Sequence, residues 1–422
     1  MPNEREIAIN ILMKIEREHS YSGIALSRNL SAADGLDARG RGFITEIVNG
    51  CMRNLIWIDY IIDTYSKLSV GRMEPFIRHL MRASVYQMKF MDRIPVSAAV
   101  DEAVKLARRH GFGGLAGFVN AVLRNIARSD VPLPDRALGL DRFLSVRYSF
   151  PMWITRYYLD RFGPETAEEI CEAAVRVPRV HICVNTPRIS RAELLKRLEA
   201  EPLGANGAVL PKTSDIAKLQ PFKDGLFHVM DYSSMRAVEA LDPKPGCVVM
   251  DLCAAPGGKS FYCAYLMRNE GRIYAWDIHP HKVSLIKSSA RRLGLENLTA
   301  RAADARVFDE RFAETADCVL IDAPCTGLGV AGRKPDIKYS RTEADIQTLA
   351  TLQREILSAG WKYVKPGGRL VYSTCTLTRE ENEDNAAWFA SRFPFILDYE
   401  ATLPPGESDG FYIARFIRRK EL

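Results

Sequence analysis

Two cysteines in this chain stand where chemistry is possible: Cys325 in IDAPCTGLG and Cys375 in VYSTCTLTREEN. Each follows an apolar, β-branched run and is flanked by turn-forming residues, which places both thiols at the carboxyl edge of a sheet. A single cysteine is more often a small buried hydrophobe than a reagent, so the pairing is what argues for a reaction. Carbon 5 of cytosine is a poor nucleophile. A thiolate added at carbon 6 turns the ring into an enamine whose carbon 5 can attack a methyl donor, and covalent catalysis of this kind divides one hard step into easier ones. The thiolate needs positive charge or amide dipoles nearby. After methyl transfer a base must take the proton from carbon 5 so that the first sulfur can leave, so a second group also has a task. Spacing alone does not say which sulfur does which. Asp322, three residues before Cys325, is placed to bond the ring nitrogen and amino group of the base. Lys259 either polarises the same pocket or faces solvent.

A donor site is legible next to these residues. The strand ending at Asp251 runs into CAAPGGKS, where Ala254, Ala255, Gly257 and Gly258 lack bulk and the backbone can pass close to a ligand at the start of a helix. Asp277 ends the following strand, where a Rossmann-like sheet sets an acid against ribose hydroxyls. Asp304, after a third short strand, is placed to accept a hydrogen bond from an exocyclic amine such as that of adenine. The turn departs from GxGxxG and lacks the GxxxxGK[ST] phosphate cradle, which favours an adenosyl ligand without pyrophosphate and points to S-adenosylmethionine.

The elements that position these groups follow from hydrophobic periodicity. Residues 1–130 read as amphipathic helices, with apolar positions three and four apart in Ile7–Ile15, Phe43–Ile62 and Phe76–Met88. Their basic clusters (Arg39 and Arg41, Arg78 and Arg82, Arg108 and Arg109) read first as solvated helix faces, RNA contact being the lesser reading. A Pro- and Gly-interrupted linker is expected at 131–145 and a small α+β segment at 146–240. From 241 to 422, CVVMDLC, IYAWDI, CVLIDAP and RLVYSTC alternate with helical stretches, the pattern of a doubly wound parallel sheet. The 422 residues, 47% apolar and 26% charged with a net charge of +6, exclude general disorder and permit a nucleic-acid partner without establishing one. Nine cysteines without a CxxC pair or histidines at zinc-ligand spacing imply a reduced, cytoplasmic chain with no metal. No stretch of about 18 apolar residues occurs, so no membrane span is expected.

With these residues in view, the chain resembles the RsmB-type, Sun/Fmu family of bacterial ribosomal RNA cytosine-5 methyltransferases. The motifs are DLCAAPGGKS (251–260), DAPCTGLG (322–329), RKPDIKY (333–339), YVKPGGRLVYSTCTLTREEN (363–382) and DGFYIARF (409–416). RGFITEIVNGCMRNLIWID (41–59) and the 92–128 region are similar to a NusB-type RNA-binding helical domain. The resemblance implies a NusB-like N-terminal domain, a small RNA-contacting middle segment and a Rossmann-like methyltransferase domain. It implies S-adenosylmethionine held by Ala254, Ala255, Pro256, Gly257, Gly258, Lys259, Ser260, Asp277, Asp304 and Asp322. It implies Cys375 as the nucleophile at carbon 6 and Cys325 as the cysteine assisting proton removal and release, with Asp322 and Lys259 beside them. The implied substrate is a cytosine in small-subunit (16S) ribosomal RNA, met by a monomeric enzyme before full ribosome assembly, because the base must be unstacked. The chain departs from the family at Cys183, where arginine is frequent, at Met230, where glutamine is frequent, and in the short PPGESDGFY stretch. Competing readings are a transfer RNA cytosine-5 methyltransferase, an amino-group methyltransferase, and a non-catalytic RNA-binding ribosome assembly factor. The amino-group reading is disfavoured because Cys325 stands where an aromatic would follow the proline, and the assembly-factor reading because both thiols are kept.

Overall fold

The computed structural model describes residues 3–18, 20–33, 35–211 and 215–420. By contact the chain divides into two units, Met1–Val177 with Ala331–Arg341, and Pro178–Val330 with Thr342–Leu422.

The first unit is helical: α1 (Glu4–Glu18), α2 (Ser22–Ala32), α3 (Ala38–Arg53), α4 (Leu55–Tyr65), α5 (Pro75–Phe90), α6 (Val96–Arg109), α7 (Ala116–Arg128), α8 (Leu140–Arg147) and α9 (Met152–Val175). Apolar residues at helical spacing meet in one core that includes Ile47, Cys51, Ile58, Met81, Val85 and Leu123. α3 starts where the Asp37 side chain accepts from the Gly40 N–H at 2.7 Å. It approaches α5 so closely at Gly50 that a Cβ there would lie 1.8 Å from the Tyr86 ring. The helical periodicity read from Phe43 to Ile62 is carried by two helices that part at Asn54, whose own Nδ2 donates to the Gly50 carbonyl and competes with the helical ladder. Arg82 is not part of a solvated face: it is buried, with Nε and Nη2 both 2.7 Å from the Asp59 carboxylate. Within the stretch expected to be a linker, Arg136–Leu138 forms a 3-10 turn and Leu140 opens α8.

The second unit begins with a four-stranded antiparallel sheet of β1 (Val180–Val184), β2 (Glu201–Leu203), β3 (Gly207–Leu210) and β4 (Phe227–Val229), ordered β2-β3-β1-β4. Its helices are α10 (Arg191–Leu198) and α11 (Gln220–Lys223). Cys183 and Met230, two of the three departures from the family pattern, are both buried there.

A seven-stranded sheet follows, made of β5 (Val248–Asp251), β6 (Arg272–Asp277), β7 (Leu298–Ala302), β8 (Ala316–Asp322), β9 (Val364–Thr374), β10 (Phe395–Leu403) and β11 (Phe411–Arg418), in the order β10-β11-β9-β8-β5-β6-β7. The helices α12 (Tyr232–Leu241), α13 (Gly258–Leu266), α14 (Pro280–Leu293), α16 (Glu343–Gly360) and α17 (Glu383–Arg392) accompany it, while α15 (Ile337–Ser340) belongs with the first unit. Strands β7 through β9 are parallel, but β11 pairs antiparallel with β9 and with β10. The sheet is thus mixed rather than wholly parallel, because the short 404–410 connection allows only an antiparallel return. From β5 the chain moves outward to β6 and β7, then returns to β8 on the other side. The order therefore reverses between β5 and β8, where the carboxyl ends open a crevice.

The segment Ala331–Arg341 falls within the 241–422 stretch of the sequence division, yet by contact it counts with the helical unit. Its buried polar groups find their partners there. Asp336 Oδ1 accepts from Ser22 Oγ at 2.5 Å, and the buried Lys338 donates to the carbonyls of Arg53 (3.1 Å) and Tyr148 (3.5 Å) and lies 4.5 Å from the Phe150 ring centroid. Burial pushes the Lys338 ammonium down to about 7.

Candidate active site

The last residue of β5, Asp251, is buried. Its Oδ2 accepts from Ser260 Oγ at 2.6 Å while Oδ1 has no partner. Burial, reinforced by the neighbouring Asp322, pushes this carboxyl up to about 7. The small-residue turn that follows is pinned to the next strand: Ala254 N–H donates to the Trp276 carbonyl at 2.8 Å, and Gly257 N–H to the Ala254 carbonyl at 2.6 Å. Gly257 has φ of +110°, and a Cβ on it would stand 2.3 Å from the Phe261 ring. Side-chain bulk is excluded by both the backbone and the packing. Asp277, at the end of β6, accepts from Ala255 N–H at 3.2 Å and His279 N–H at 3.0 Å, which holds the acid against the turn. Beneath the turn the buried His228 bonds the Gly258 carbonyl at 3.1 Å and the Tyr265 hydroxyl at 3.1 Å, and burial pushes its imidazole down to about 3. A neutral ring then donates from Nε2 and accepts at Nδ1.

The thiols of Cys325 and Cys375 meet. Their sulfurs lie 3.4 Å apart, one following β8 and the other following β9, which are adjacent parallel strands. Neither is in a disulfide. Cys375, with burial adding to it, raises the Cys325 thiol well above its usual range. Either sulfur can donate to the other, and the two thiols titrate as a pair.

Lys259, the second residue of α13, points inward. Its Nζ donates to Asp322 Oδ2 at 2.7 Å and Ser234 Oγ at 3.3 Å, and the other Asp322 oxygen accepts from Ser373 Oγ at 2.9 Å. Burial opposes the ammonium charge, but Asp322, Asp251 and Cys375 outweigh it and raise the Lys259 pKa. The solvent-facing alternative for Lys259 is set aside.

The expected residues do not all converge. Ser260 is fully buried and serves Asp251 rather than the crevice. The Asp304 carboxylate is held by the Arg306 guanidinium at 2.7–3.1 Å and by the Arg306 N–H at 2.9 Å, not left open for an amine. Cys253 follows β5 and packs against the core on one face of the sheet. Sequence reasoning passed over Ser234, Ser373 and the buried Glu381, and also the exposed apolar side chains of Ile278 and Val307, next to Asp277 and near Asp304. An apolar residue directly after the β6 acid was the available signal for Ile278.

These residues fit an adenosyl group. There is an acid beside a cradle that a Cβ would fill, apolar side chains open at its edge, and a buried carboxylate oxygen without a donor at Asp251. Among the described residues no cluster of histidine, cysteine, aspartate or glutamate is arranged to hold a metal ion, and no helix is long and apolar enough to cross a membrane.

Comparisons with known proteins agree with this architecture. The family model of the 16S rRNA methyltransferase RsmB/F matches residues 238–394, that of the NusB family 2–128, and that of the ferredoxin-like domain of RsmF/B-like methyltransferases 150–213. A relative from Bacillus subtilis, described as a probable ribosomal RNA small subunit methyltransferase B, is 40% identical over 406 residues, covering 94% of this chain and 90% of its own. Among solved structures, a methyltransferase homolog protein from Pyrococcus horikoshii is 34% identical with a TM-score of 0.58, covering 65% of this chain and 97% of its own. NSun6 from Pyrococcus horikoshii, solved with SFG, is 25% identical with a TM-score of 0.59, covering 65% of this chain and 100% of its own.

Proposed function

Because this chain belongs to the RsmB/F family of 16S rRNA methyltransferases, we propose that it methylates carbon 5 of a cytosine in small-subunit ribosomal RNA through a covalent bond between Cys375 and carbon 6. The observation that carries the reading is the meeting of two thiols in unequal fields, 3.4 Å apart at the crevice of a methyltransferase sheet. Cys325 lies near the carboxylates of Glu381 and Asp322, which with Cys375 itself oppose its ionisation. Cys375 is felt by the Lys259 ammonium. A negative charge shared by the pair is therefore more stable on Cys375.

S-adenosylmethionine supplies the methyl group as an electrophile. The residues that would hold it are the Ala254, Ala255, Pro256, Gly257 and Gly258 turn, Asp277, and Ile278 at the crevice edge; Lys259 and Asp322 bound the same space, and Asp304 would join only by leaving Arg306. Asp322, fixed by Lys259 and Ser373, is positioned to hold the ring nitrogen and amino group of a flipped cytosine. Addition of the Cys375 thiolate forms the S–C6 bond and moves the electron pair to carbon 5, which takes the methyl group. Cys325, having given its own proton to solvent once the Cys375 sulfur is bonded, then removes the carbon 5 proton as a thiolate, and that electron pair reforms the ring double bond as the S–C6 bond breaks and returns its electrons to Cys375. By this reading a monomer suffices, and RNA before full assembly is the accessible substrate.

The test uses tritiated methyl transfer to small-subunit RNA, with Cys325→Ala and Cys375→Ala variants resolved on a denaturing gel. Wild type transfers label to carbon 5, Cys325→Ala accumulates a protein–RNA adduct that survives denaturation, and Cys375→Ala makes none. Adducts in the reverse pattern exchange the two roles. A wild-type protein that binds RNA and transfers nothing supports an assembly factor instead.

A further inference from the structure

Each thiol is followed in sequence by a buried threonine, Thr326 or Thr376, and the two hydroxyls are 2.6 Å apart. Both loops converge on one carboxylate. Glu381 is fully buried; its Oε1 accepts from Thr326 N–H at 2.9 Å and Gln353 Nε2 at 3.0 Å, and its Oε2 accepts from the hydroxyls of Thr326 and Thr378 at 2.6 Å each. Since the Thr326 proton goes to Glu381, Thr376 must donate to Thr326. Four donors occupy the four lone-pair positions of an ionised carboxylate. Gln353 in turn donates to the Pro324 carbonyl at 2.9 Å, one residue before Cys325. Asn382 accepts from Thr374 at 2.5 Å and donates to the Thr376 carbonyl at 3.0 Å, so the residues on either side of Cys375 are held as well.

We propose that Glu381 is a positioning residue for both thiols, locking the Cys325 and Cys375 loops at the separation that lets both sulfurs address one base. It reaches the Cys325 loop through Thr326 and Gln353 and the Cys375 loop through Thr378 and, by way of Thr326, Thr376. Without it, four donors, from the two loops and from Gln353, lose their common acceptor, and the sulfurs are free to separate. Misplacement of reacting groups by about 1 Å is enough to cost about a hundredfold in rate. The kinetic part of this inference rests on the cytosine-5 reading; the geometric part does not.

The first arm therefore needs neither RNA nor donor. Diamide, a diazene oxidant, takes two electrons and two protons from the thiol pair, becoming a hydrazine and leaving a Cys325–Cys375 disulfide that peptide mass spectrometry locates in the full-length chain. Disulfide formation demands approach and alignment of the two sulfurs, so Glu381→Ala is expected to slow this cross-link about tenfold. Glu381→Gln, which keeps an acceptor for the Thr326 N–H and lets the hydroxyls reverse, restores it to within about threefold. In the second arm, Glu381→Ala lowers kcat about a hundredfold with KM for RNA and affinity for S-adenosylmethionine within about threefold. Should Glu381→Ala fail to fold, Glu381→Gln and Thr378→Val carry the test, with Thr378→Val slowing the cross-link severalfold. Cross-linking and kcat at wild-type levels in folded Glu381→Ala, or in Thr378→Val where Glu381→Ala does not fold, or Glu381→Gln impaired about tenfold or more, would overturn the proposal. A slowed cross-link in a protein whose wild type transfers no methyl group leaves positioning intact and removes the reaction assigned to it.

Discussion

Gly257 is the residue at which the donor turn is most sharply constrained, and Gly257→Ala tests whether that constraint belongs to ligand binding. The new Cβ would lie 2.3, 2.8 and 2.9 Å from three carbons of the Phe261 ring. Carbon atoms pack at about 3.5–4.0 Å, so the ring must retreat by about 1.2 Å. Phe261 is 3% exposed, and its retreat is a core displacement rather than a swing into solvent. Overpacking of that kind costs about 1–3 kcal/mol. The φ of +110° adds about 1–2 kcal/mol once a Cβ is present. The sum, about 2–5 kcal/mol, must appear somewhere. If the fold holds the turn in place it appears as lost stability; if the turn yields it appears as lost affinity for S-adenosylmethionine, about 30-fold to a few thousandfold at 1.4 kcal/mol per decade.

Calorimetric binding and urea unfolding on the same samples divide the two. Phe261→Leu in combination separates the contributions, since a smaller side chain relieves the ring overlap and leaves the backbone term. The pair should therefore couple by about 1–3 kcal/mol. Wild-type stability together with wild-type affinity in Gly257→Ala, or additivity of the two changes to within about 0.5 kcal/mol, would refute the argument.

Lys259→Met removes the cation that Asp322 and Cys375 share, so methyl transfer should fall about a hundredfold, and the alkylation rate of Cys375 by iodoacetamide should rise only at higher pH than in wild type; an unmoved alkylation profile defeats the assignment. Two groups beneath the turn make opposed pH predictions. The carboxyl of Asp251, raised from 3.8 to about 7, keeps a proton in the folded state that the unfolded chain has released, and stability falls as pH rises across that range. His228, lowered from 6.5 to about 3, is the reverse: the unfolded chain binds a proton that the folded state refuses, and stability falls as pH drops across that range. Over the shared window each slope is about 1.4 kcal/mol per pH unit. Asp251→Asn should thus become more acid-sensitive than wild type between pH 6.5 and 4.5, and His228→Gln less so. Parallel urea-unfolding slopes for all three proteins would contradict both.

How much of this was readable beforehand depends on how local each signal is. The parallel strands of the catalytic sheet are buried on both faces, so CVVMDLC and CVLIDAP announce themselves as continuous apolar runs, and the acids and cysteines that end them can be placed in order. The β10–β11 hairpin was not read because β10 alternates buried and exposed residues at an edge. Lys259 was undecided because helix position alone does not fix which way a first-turn side chain points; the Asp322 carboxylate, from a distant strand, decides it. Glu381 lies in a run of charged residues, REENED, that reads as solvated, and only tertiary folding brings Thr326 and Gln353 to it. Lys338 is the same lesson in the helical unit. Asp304 is an acid near a strand end that was assigned to a ligand; its pairing with Arg306, two residues later, was not read.

The geometry of the thiol pair also bears on the timing of the reaction, which no sequence pattern carries. Cys375 is the first of the causes that keep Cys325 protonated, ahead of burial and of the Glu381 and Asp322 carboxylates. That restraint lasts only while Cys375 carries the negative charge. By the reading proposed above, bonding the Cys375 sulfur to carbon 6 neutralises it, and the largest opposition to Cys325 ionisation ends at the step that requires a base. Two anionic sulfurs 3.4 Å apart would repel strongly, so at most one of them is ionised at rest. The same sulfur that is too poor an acid to compete for the ring at the start becomes an acceptor for the carbon 5 proton after methyl transfer. Release then restores the charge on Cys375 while Cys325 keeps the carbon 5 proton, which takes the pair back to its starting state. By the same reading, the Lys259 ammonium favours charge on Cys375, while the Glu381 and Asp322 carboxylates oppose it on Cys325.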